Sequence, residues 1–302
     1  MLFSIDHGNS AIKTPNFVFT SGLADYPVKP PVETDVLEFD GHFWTLSGQR
    51  IAYMRDKTKD DRYFVLTLFA IAKELQKAGM IQSVVETDLA VGLPPEHYKL
   101  RRRFAEYFLR GRVSFVFNGT PISLVIDNVM VYPQAYAAVV PQAQVLRETP
   151  RTFVIDIGGF TTDVLLLREA RSDLQFCRSL EMGVIPMSND IIGQVSALHD
   201  IKIDDDHIVD VIQGRPTILP DDVRKTIFGT VQHYAANILD KLRELQVDLR
   251  ATPAIFVGGG SVLFEKFIKE SPLVAKAEFI QDAKANAIGY AYTAAQGRGK
   301  GR

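Results

Sequence analysis

Apolar positions in this chain fall mostly into short runs of four to eight, broken by turn residues, with a few longer stretches at helical spacing. Met1 to Asp6 (MLFSID) predicts a short buried strand. Val36 to Phe39 and His42 to Trp44 suggest small strands inside the proline-bearing stretch 15–60. From Arg62 to Ala78 the residues Val65, Leu68, Phe69, Ala72 and Leu75 share one face and Gly79 follows as a C-cap, so a buried amphipathic helix is expected. Val84 to Val91 predicts a strand, and Pro95 to Arg110 a helix with Phe104 and Phe108 on one side. Val113 to Phe117 and Ile122 to Ile126 predict strands paired about Asn118-Gly119. Val129 to Val131 reads as a further piece ending in Tyr132-Pro133-Gln134, and Ala135 to Val140 as a small-residue helix.

The second half repeats this rhythm. Phe153 to Asp156 predicts a buried strand, Val164 to Leu167 its return, and Leu174 to Leu180 another strand. Met187 to Ala197 predicts a helix with Ser188 as a possible cap, while residues 202–220 look acidic and irregular. Pro220 opens the longest helix, with Asp221 and Asp222 in its first turn. Val223, Ile227, Val231, Ala235, Ile238, Leu242 and Leu245 mark its apolar face. Ala254 to Val257 is a strand, Val262 to Ile268 a helix, Ala275 to Ile280 a last strand and Asp282 to Ala295 a last helix. Strands alternating with helices give an α/β class.

Composition narrows the choices. The 302 residues can hold one large or two medium domains, and 46% hydrophobic with 23% charged residues is ordinary for a soluble globular protein. A net charge of −2 gives no electrostatic case for nucleic acid or anionic membrane as the main partner. The basic tail Arg298-Gly-Lys300-Gly-Arg302 is the exception, and reads as a frayed terminus. The run Arg101 to Arg103 reads as a solvated face or a partner contact. Asp204, Asp205 and Asp206 have calcium-loop chemistry without its spacing, and fit a helix N-terminus better. A single cysteine, Cys177, excludes an intramolecular disulfide and a cysteine-based zinc site, and fits a reducing compartment. No apolar run approaches ~18 residues and no signal segment opens the chain, so a cytoplasmic protein without membrane contact is expected.

The chemistry gathers at three glycine turns that follow buried strands. Ile5-Asp6-x-Gly8 and Ile155-Asp156-x-Gly158 share one pattern half the chain apart, which suggests a duplicated α/β half, each bringing an aspartate to a shared cleft. In FVIDIGGFTTDVLL, glycines would let backbone N–H groups reach phosphate oxygens, hydroxyls add donors, and carboxylates hold Mg²⁺ through its waters. A plain hairpin also uses Gly-Gly. The third turn, Gly258-Gly259-Gly260-Ser261, leads from a strand straight into a helix, which is the geometry of an anion or nucleotide site.

Together these turns resemble the phosphate-1, phosphate-2 and adenosine motifs of the actin-like ATPase superfamily, across nearly the whole chain. Within it, IDHGNSAIK, VGLPPEHY, VYPQAYAAV, FVIDIGGFTTDV and FVGGGSVL are most similar to the ParM/StbA branch of plasmid-segregating actin homologues. The resemblance implies an actin-like fold of two ribonuclease-H-like domains around a nucleotide cleft. Domain I would span 1–148, with a small inserted subdomain at about 15–60 and the C-terminal helix 283–302 packing back on it; domain II would span 149–282. It implies ATP, or GTP, with Mg²⁺ approached by Asp6 and Asp156. Gly8, Asn9, Ser10 and Lys13 would meet the phosphates from one side; Gly158, Gly159, Phe160 and Thr161 would do so from the other, followed by Thr162 and Asp163. Gly258, Gly259, Gly260 and Ser261 would face the adenosine. Gln134 would orient the attacking water, where that branch often has Glu.

Taken singly, Asp6 and Lys13 could be an ordinary turn pair and Gln134 a capping residue. The function implied is a filament-forming ATPase that segregates plasmids through a DNA-bound adaptor, without touching DNA itself. A cytoskeletal homologue unrelated to plasmids is the alternative, with a small-molecule kinase behind it. A chaperone-type module is disfavoured.

Overall fold

Strand β1 (Leu2–His7) is buried along five of its six residues, as a strand covered on both faces requires. The computed structural model describes residues 1–31, 35–80, 84–142 and 149–299. The chain divides into two units, Met1–Pro141 with Lys284–Arg302, and Gln142–Ala283. The stretch 143–148 and the tail from Lys300 lie outside the described residues.

The first unit is built on one nine-stranded sheet. Besides β1 it contains β2 (Ala11–Lys13), β3 (Val18–Thr20), β4 (Leu23–Tyr26), β5 (Val36–Phe39), β6 (His42–Leu46), β7 (Val84–Leu93), β8 (Arg112–Phe117) and β9 (Thr120–Pro133). The order is β3-β2-β1-β7-β9-β8-β5-β6-β4, with β1, β7 and β9 parallel at its heart. The strands of the 15–60 stretch do not form a sheet of their own. β5 pairs antiparallel with β8, so β5, β6 and β4 extend the same sheet. Helix α1 (Arg62–Lys77) covers one face, and every side chain from Tyr63 to Ala72 is buried. The chain leaves it through Gly79 at φ +64°. On β7, Leu89 and Val91 join the core beneath α1, while Ala90 between them packs with Ala137, Tyr290 and Ala294. Side chains alternate across a strand, so the C-terminal helix lies on the other face.

Two expectations change in this unit. The single helix over 95–110 is a 3-10 turn (Pro95–Leu100) followed by a short helix, α2 (Arg101–Phe108). The first piece opens with His97 N–H donating to the Pro94 carbonyl, the i→i−3 bond of a 3-10 turn. The two pieces 122–126 and 129–131 are one strand, β9, which pairs with β7 from Ser123 to Pro133 and shifts register opposite Thr87/Asp88. Asp127 is the extra residue of a bulge, and it moves the inward phase from Ile122, Leu124 and Ile126 to Val129 and Val131.

The second unit has a five-stranded sheet in the order β12-β11-β10-β13-β14. Its strands are β10 (Arg151–Ile157), β11 (Thr162–Arg168), β12 (Arg171–Leu180), β13 (Ala254–Val257) and β14 (Ala277–Phe279). β10 and β11 form the expected hairpin, pairing Asp156 with Asp163, and β13 runs parallel to β10. After α3 (Tyr136–Val139) of the first unit, the helices here are α4 (Val184–His199), α5 (Asp205–Ile212), α6 (Asp221–Glu244) and α7 (Gly259–Lys269).

Val223, Ile227, Val231, Ala235, Ile238 and Leu242 of α6 are buried as their spacing predicts, whereas Leu245 is the half-buried C-cap. Ser188 is not a cap, because α4 starts earlier, at Val184 with Gly183 as its N-cap, and Ser188 is buried within it. The early start has a cause: Val184 and Ile185 N–H donate to the carbonyls of Gly158 and Gly159, satisfying donors that a helix N-terminus leaves open. The stretch read as irregular holds α5, whose start is closed by a reciprocal cap between Asp204 and His207. The final helix of the chain, α8, spans Ala285–Gly299 and belongs to the first unit.

Candidate functional site

Asp6 stands at the end of β1 and is only 2% exposed. The tight turn Gly8-Asn9-Ser10 brings β2 back antiparallel, which sets Lys13 directly across from Asp6. A side chain at Gly8 would put its Cβ 2.6 Å from the Ala11 carbonyl, so only glycine lets the turn close this far. Lys13 Nζ lies 3.1 Å from Asp6 Oδ2, and Gln134 Nε2 donates to Asp6 Oδ1 at 2.8 Å. Gln134 follows β9 at once, and its own N–H donates to the Leu93 carbonyl at the end of β7. The parallel strands β1 and β9 and the antiparallel β2 thus deliver a carboxylate, an amide and a cation to one point. Both oxygens of a buried carboxylate are engaged, one by a cation and one by a neutral donor, which fixes its orientation.

Other residues around the turn carry no mark in the sequence. The Ser21 hydroxyl donates to the Gly8 carbonyl at 2.6 Å, the Tyr63 hydroxyl donates to Asn9 Oδ1 at 3.0 Å, and Lys57 Nζ donates to the His7 carbonyl. His7 itself points inward, its Nε2 2.8 Å from the Thr67 hydroxyl and its ring 5.2 Å from that of Phe108. Burial pushes the imidazole from 6.5 down to about 3, the Lys57 charge lowers it further and Asp6 opposes the shift. The sign follows from proton uptake. Below 6.5 the unfolded chain takes a proton that the folded chain refuses, so stability is full above 6.5 and declines as the pH falls towards about 3. At pH 5 this one group is expected to destabilise the protein by about 2 kcal/mol relative to pH 7. Denaturant titrations of the native chain and of His7→Gln check this, because the variant should show a shallower loss.

In the second unit, Asp156 ends β10 opposite Asp163. The connecting turn is held from within: Gly158 N–H donates to the Thr161 carbonyl at 2.8 Å, and the Thr161 hydroxyl donates to Asp163 Oδ2 at 2.8 Å. Phe160 is half-buried in this turn. Gly183 explains part of its shape, since a Cβ there would sit 2.5 Å from the Gly159 carbonyl oxygen. The Thr162 hydroxyl is buried and donates to the Met182 carbonyl at 2.6 Å.

Gly258 has φ +88° and ψ 162°, and its Cα faces Asp156 so closely that a Cβ would lie 2.3 Å from the carboxylate. Gly259, Gly260 and Ser261 form the first turn of α7, which starts sooner than the expected Val262. Ser261 is buried and its hydroxyl donates to the Gly258 carbonyl at 2.8 Å. Thr162 and Ser261 therefore brace the turns from inside. Within this unit Asp156, Gly158 to Asp163 and Gly258 to Ser261 gather at the ends of β10, β11 and β13, and a helix N-terminus lies beside them.

Among the described residues no three His, Cys, Asp or Glu side chains group to hold a metal ion directly.

A family model for the N-terminal domain of actin-like proteins matches residues 34–136, and one for the C-terminal region of archaeal MreB-like actin homologues matches residues 154–270. The chain belongs to the actin-like ATPase superfamily. The α/β architecture expected of that superfamily is the one observed. No curated protein matches this chain in sequence. Among solved structures it is similar to the archaeal actin homologue Ta0583 in complex with ADP, at 20% identity over 98% of this chain and 99% of that one, with a TM-score of 0.76. It is also similar to a ParM of a 15-stranded filament from Clostridium botulinum, at 17% identity, 98% and 99% coverage and a TM-score of 0.76. Bacillus thuringiensis ParM with ATP gives 14% identity, 98% coverage of each chain and a TM-score of 0.71. At these identities the likeness is one of actin-like fold.

No helix among the described residues is long and apolar enough to cross a membrane.

Proposed function

We propose that this actin-like chain hydrolyses ATP and assembles with copies of itself into filaments whose lifetime the hydrolysis sets. The observation that carries this reading is the convergence of Lys13 and Gln134 on Asp6 at the ends of β1, β2 and β9. ATP supplies the phosphoanhydride that is cleaved. Lys13 brings positive charge to the phosphates, and Gly8, Asn9 and Ser10 offer donors from their turn. Asp6 and Asp156 approach Mg²⁺ through its waters. Gln134, tethered by its Nε2, presents its carbonyl Oε1 to a water and orients it, which is positioning rather than proton abstraction. Gly158 to Thr161 serve the terminal phosphates and Gly258 to Ser261 the nucleoside end. The two units then correspond to the two actin-like domains.

The finer reading is a ParM-type segregation of plasmid DNA in the cytoplasm through a DNA-bound adaptor, consistent with a net charge of −2 that favours no direct contact with DNA. A second reading, a cytoskeletal homologue without a plasmid, is favoured by the match of residues 154–270 to the archaeal family. The test is light scattering and pelleting with ATP, GTP and ADP, alongside phosphate release. ATP or GTP, but not ADP, is expected to yield sedimenting polymer. A chain that binds nucleotide yet never polymerises at high concentration would sink the filament half of the proposal, and a lack of phosphate release the other half.

A further inference from the structure

Gln134 is joined to α3 by a strained link. Ala135 has φ +63° and ψ −57°, and Tyr136 N–H donates to the Gln134 carbonyl at 2.6 Å across it. This is a γ-turn of the rarer hand, disfavoured for any residue that carries a Cβ. Such a conformation persists only where the surroundings over-determine it. Here they do. Gln134 is held at its N–H by Leu93 and at its side chain by Asp6, and the buried Ala135 N–H donates to Asn286 Oδ1 at 3.0 Å.

Asn286 lies in the first turn of α8, from a part of the chain 151 residues away, and is itself buried. That helix is seated without slack. A Cβ on Gly289 would fall 1.8 Å from the Ala137 carbonyl oxygen, and one on Gly92 would fall 2.0 Å from the Tyr290 hydroxyl. The acceptor is therefore delivered by a rigid element pressed against α3 and β7, and not by a loop that could follow the turn if it relaxed.

We propose that Asn286 is a positioning residue for Gln134: by accepting the Ala135 N–H it holds the strained turn that aims the Gln134 amide. Removing the acceptor leaves a buried donor unmet, and the link relaxes to an ordinary backbone conformation that carries Gln134 away from its place. This rests on the reading of Gln134 as the residue that orients the water.

The experiment compares single-turnover phosphate release and nucleotide affinity in the native chain, Gln134→Ala, Asn286→Ala and the double variant Asn286→Ala/Ala135→Gly. Asn286→Ala is expected to hydrolyse about tenfold more slowly with nucleotide affinity within about twofold, the signature of a misplaced group. Glycine adopts positive φ freely, so the double variant should recover about threefold of that loss. A role in packing alone predicts no recovery, and that result overturns the proposal. So does an Asn286→Ala protein with the native rate beside a slowed Gln134→Ala. A native rate in Gln134→Ala overturns the underlying reading instead, and the proposal falls with it. Should Asn286→Ala not fold, amide exchange in the native chain decides. Strong protection of the Ala135 N–H supports the bond, and exchange at the rate of open loop amides refutes it.

Discussion

A Gly258→Ala protein is expected to lose about 3 kcal/mol or more of stability and most of its nucleotide affinity. The backbone at φ +88° and ψ 162° lies in a region open in practice only to glycine, so alanine is strained there whatever the space around it. The space is also missing. The added Cβ would meet Asp156 Oδ1 at 2.3 Å and the Ile157 carbonyl oxygen at 2.6 Å, and the second is backbone that cannot rotate aside. Relief requires β13 and β10 to part at the point where they pair in parallel, or Asp156 to swing out of place. Either movement disturbs the turns that are proposed to hold the nucleotide. Denaturant midpoints and binding of a fluorescent nucleotide measure the two effects. Stability within about 1 kcal/mol of the native chain, with binding intact, would contradict the geometry.

Asp6→Ala should do comparable damage to the other unit, slowing phosphate release roughly 100-fold and costing about 3 kcal/mol of stability. Lys13, whose side chain is only 18% exposed, would lose the Asp6 carboxylate, while Gln134 would lose the acceptor that tethers its amide. Asp6→Asn separates the two roles. It retains an oxygen for Gln134 but no charge for Lys13, so it should recover part of the stability and little of the hydrolysis. Phosphate release and chemical unfolding, run on both variants, give the comparison. Equal rates in Asp6→Ala and the native chain would remove Asp6 from the mechanism.

Much of this was legible along the chain, and what escaped did so for identifiable reasons. Strands such as Met1 to Asp6 and Phe153 to Asp156 announce themselves because an apolar run, a carboxylate and a glycine turn all lie within eight residues. Helix α5 announced only its start: the run Asp204 to Asp206 marks a helix N-terminus, as observed, but its eight residues bury only Ile208 and give no apolar face to follow. The unity of β9 was hidden by Asp127, since one bulged residue inverts the alternation on which strand recognition rests. At the candidate site the turns could be read locally, but the inward aim of the Thr162 and Ser261 hydroxyls could not, because a hydroxyl beside glycines looks the same facing either way. Contacts across long separations left no trace at all. Nothing in an alanine-rich helix marks Asn286 as the partner of Ala135, and nothing in the polar stretch at Asp56 to Lys59 marks Lys57 as the partner of His7.

The interrupted first unit has a consequence for the order in which the molecule can be made. Gln142–Ala283 is continuous, so the second unit can close as soon as its own residues have left the ribosome. The first unit must wait, with the face of β7 that carries Ala90 uncovered, until α8 arrives after the whole of the second. Its last bonds to form include the one from Ala135 to Asn286. A nascent chain therefore carries Asp6, Lys13 and Gln134 long before it can lock the turn that joins Gln134 to α3, and a ribosome that stalls anywhere before Lys284 leaves an open apolar surface for chaperones to find.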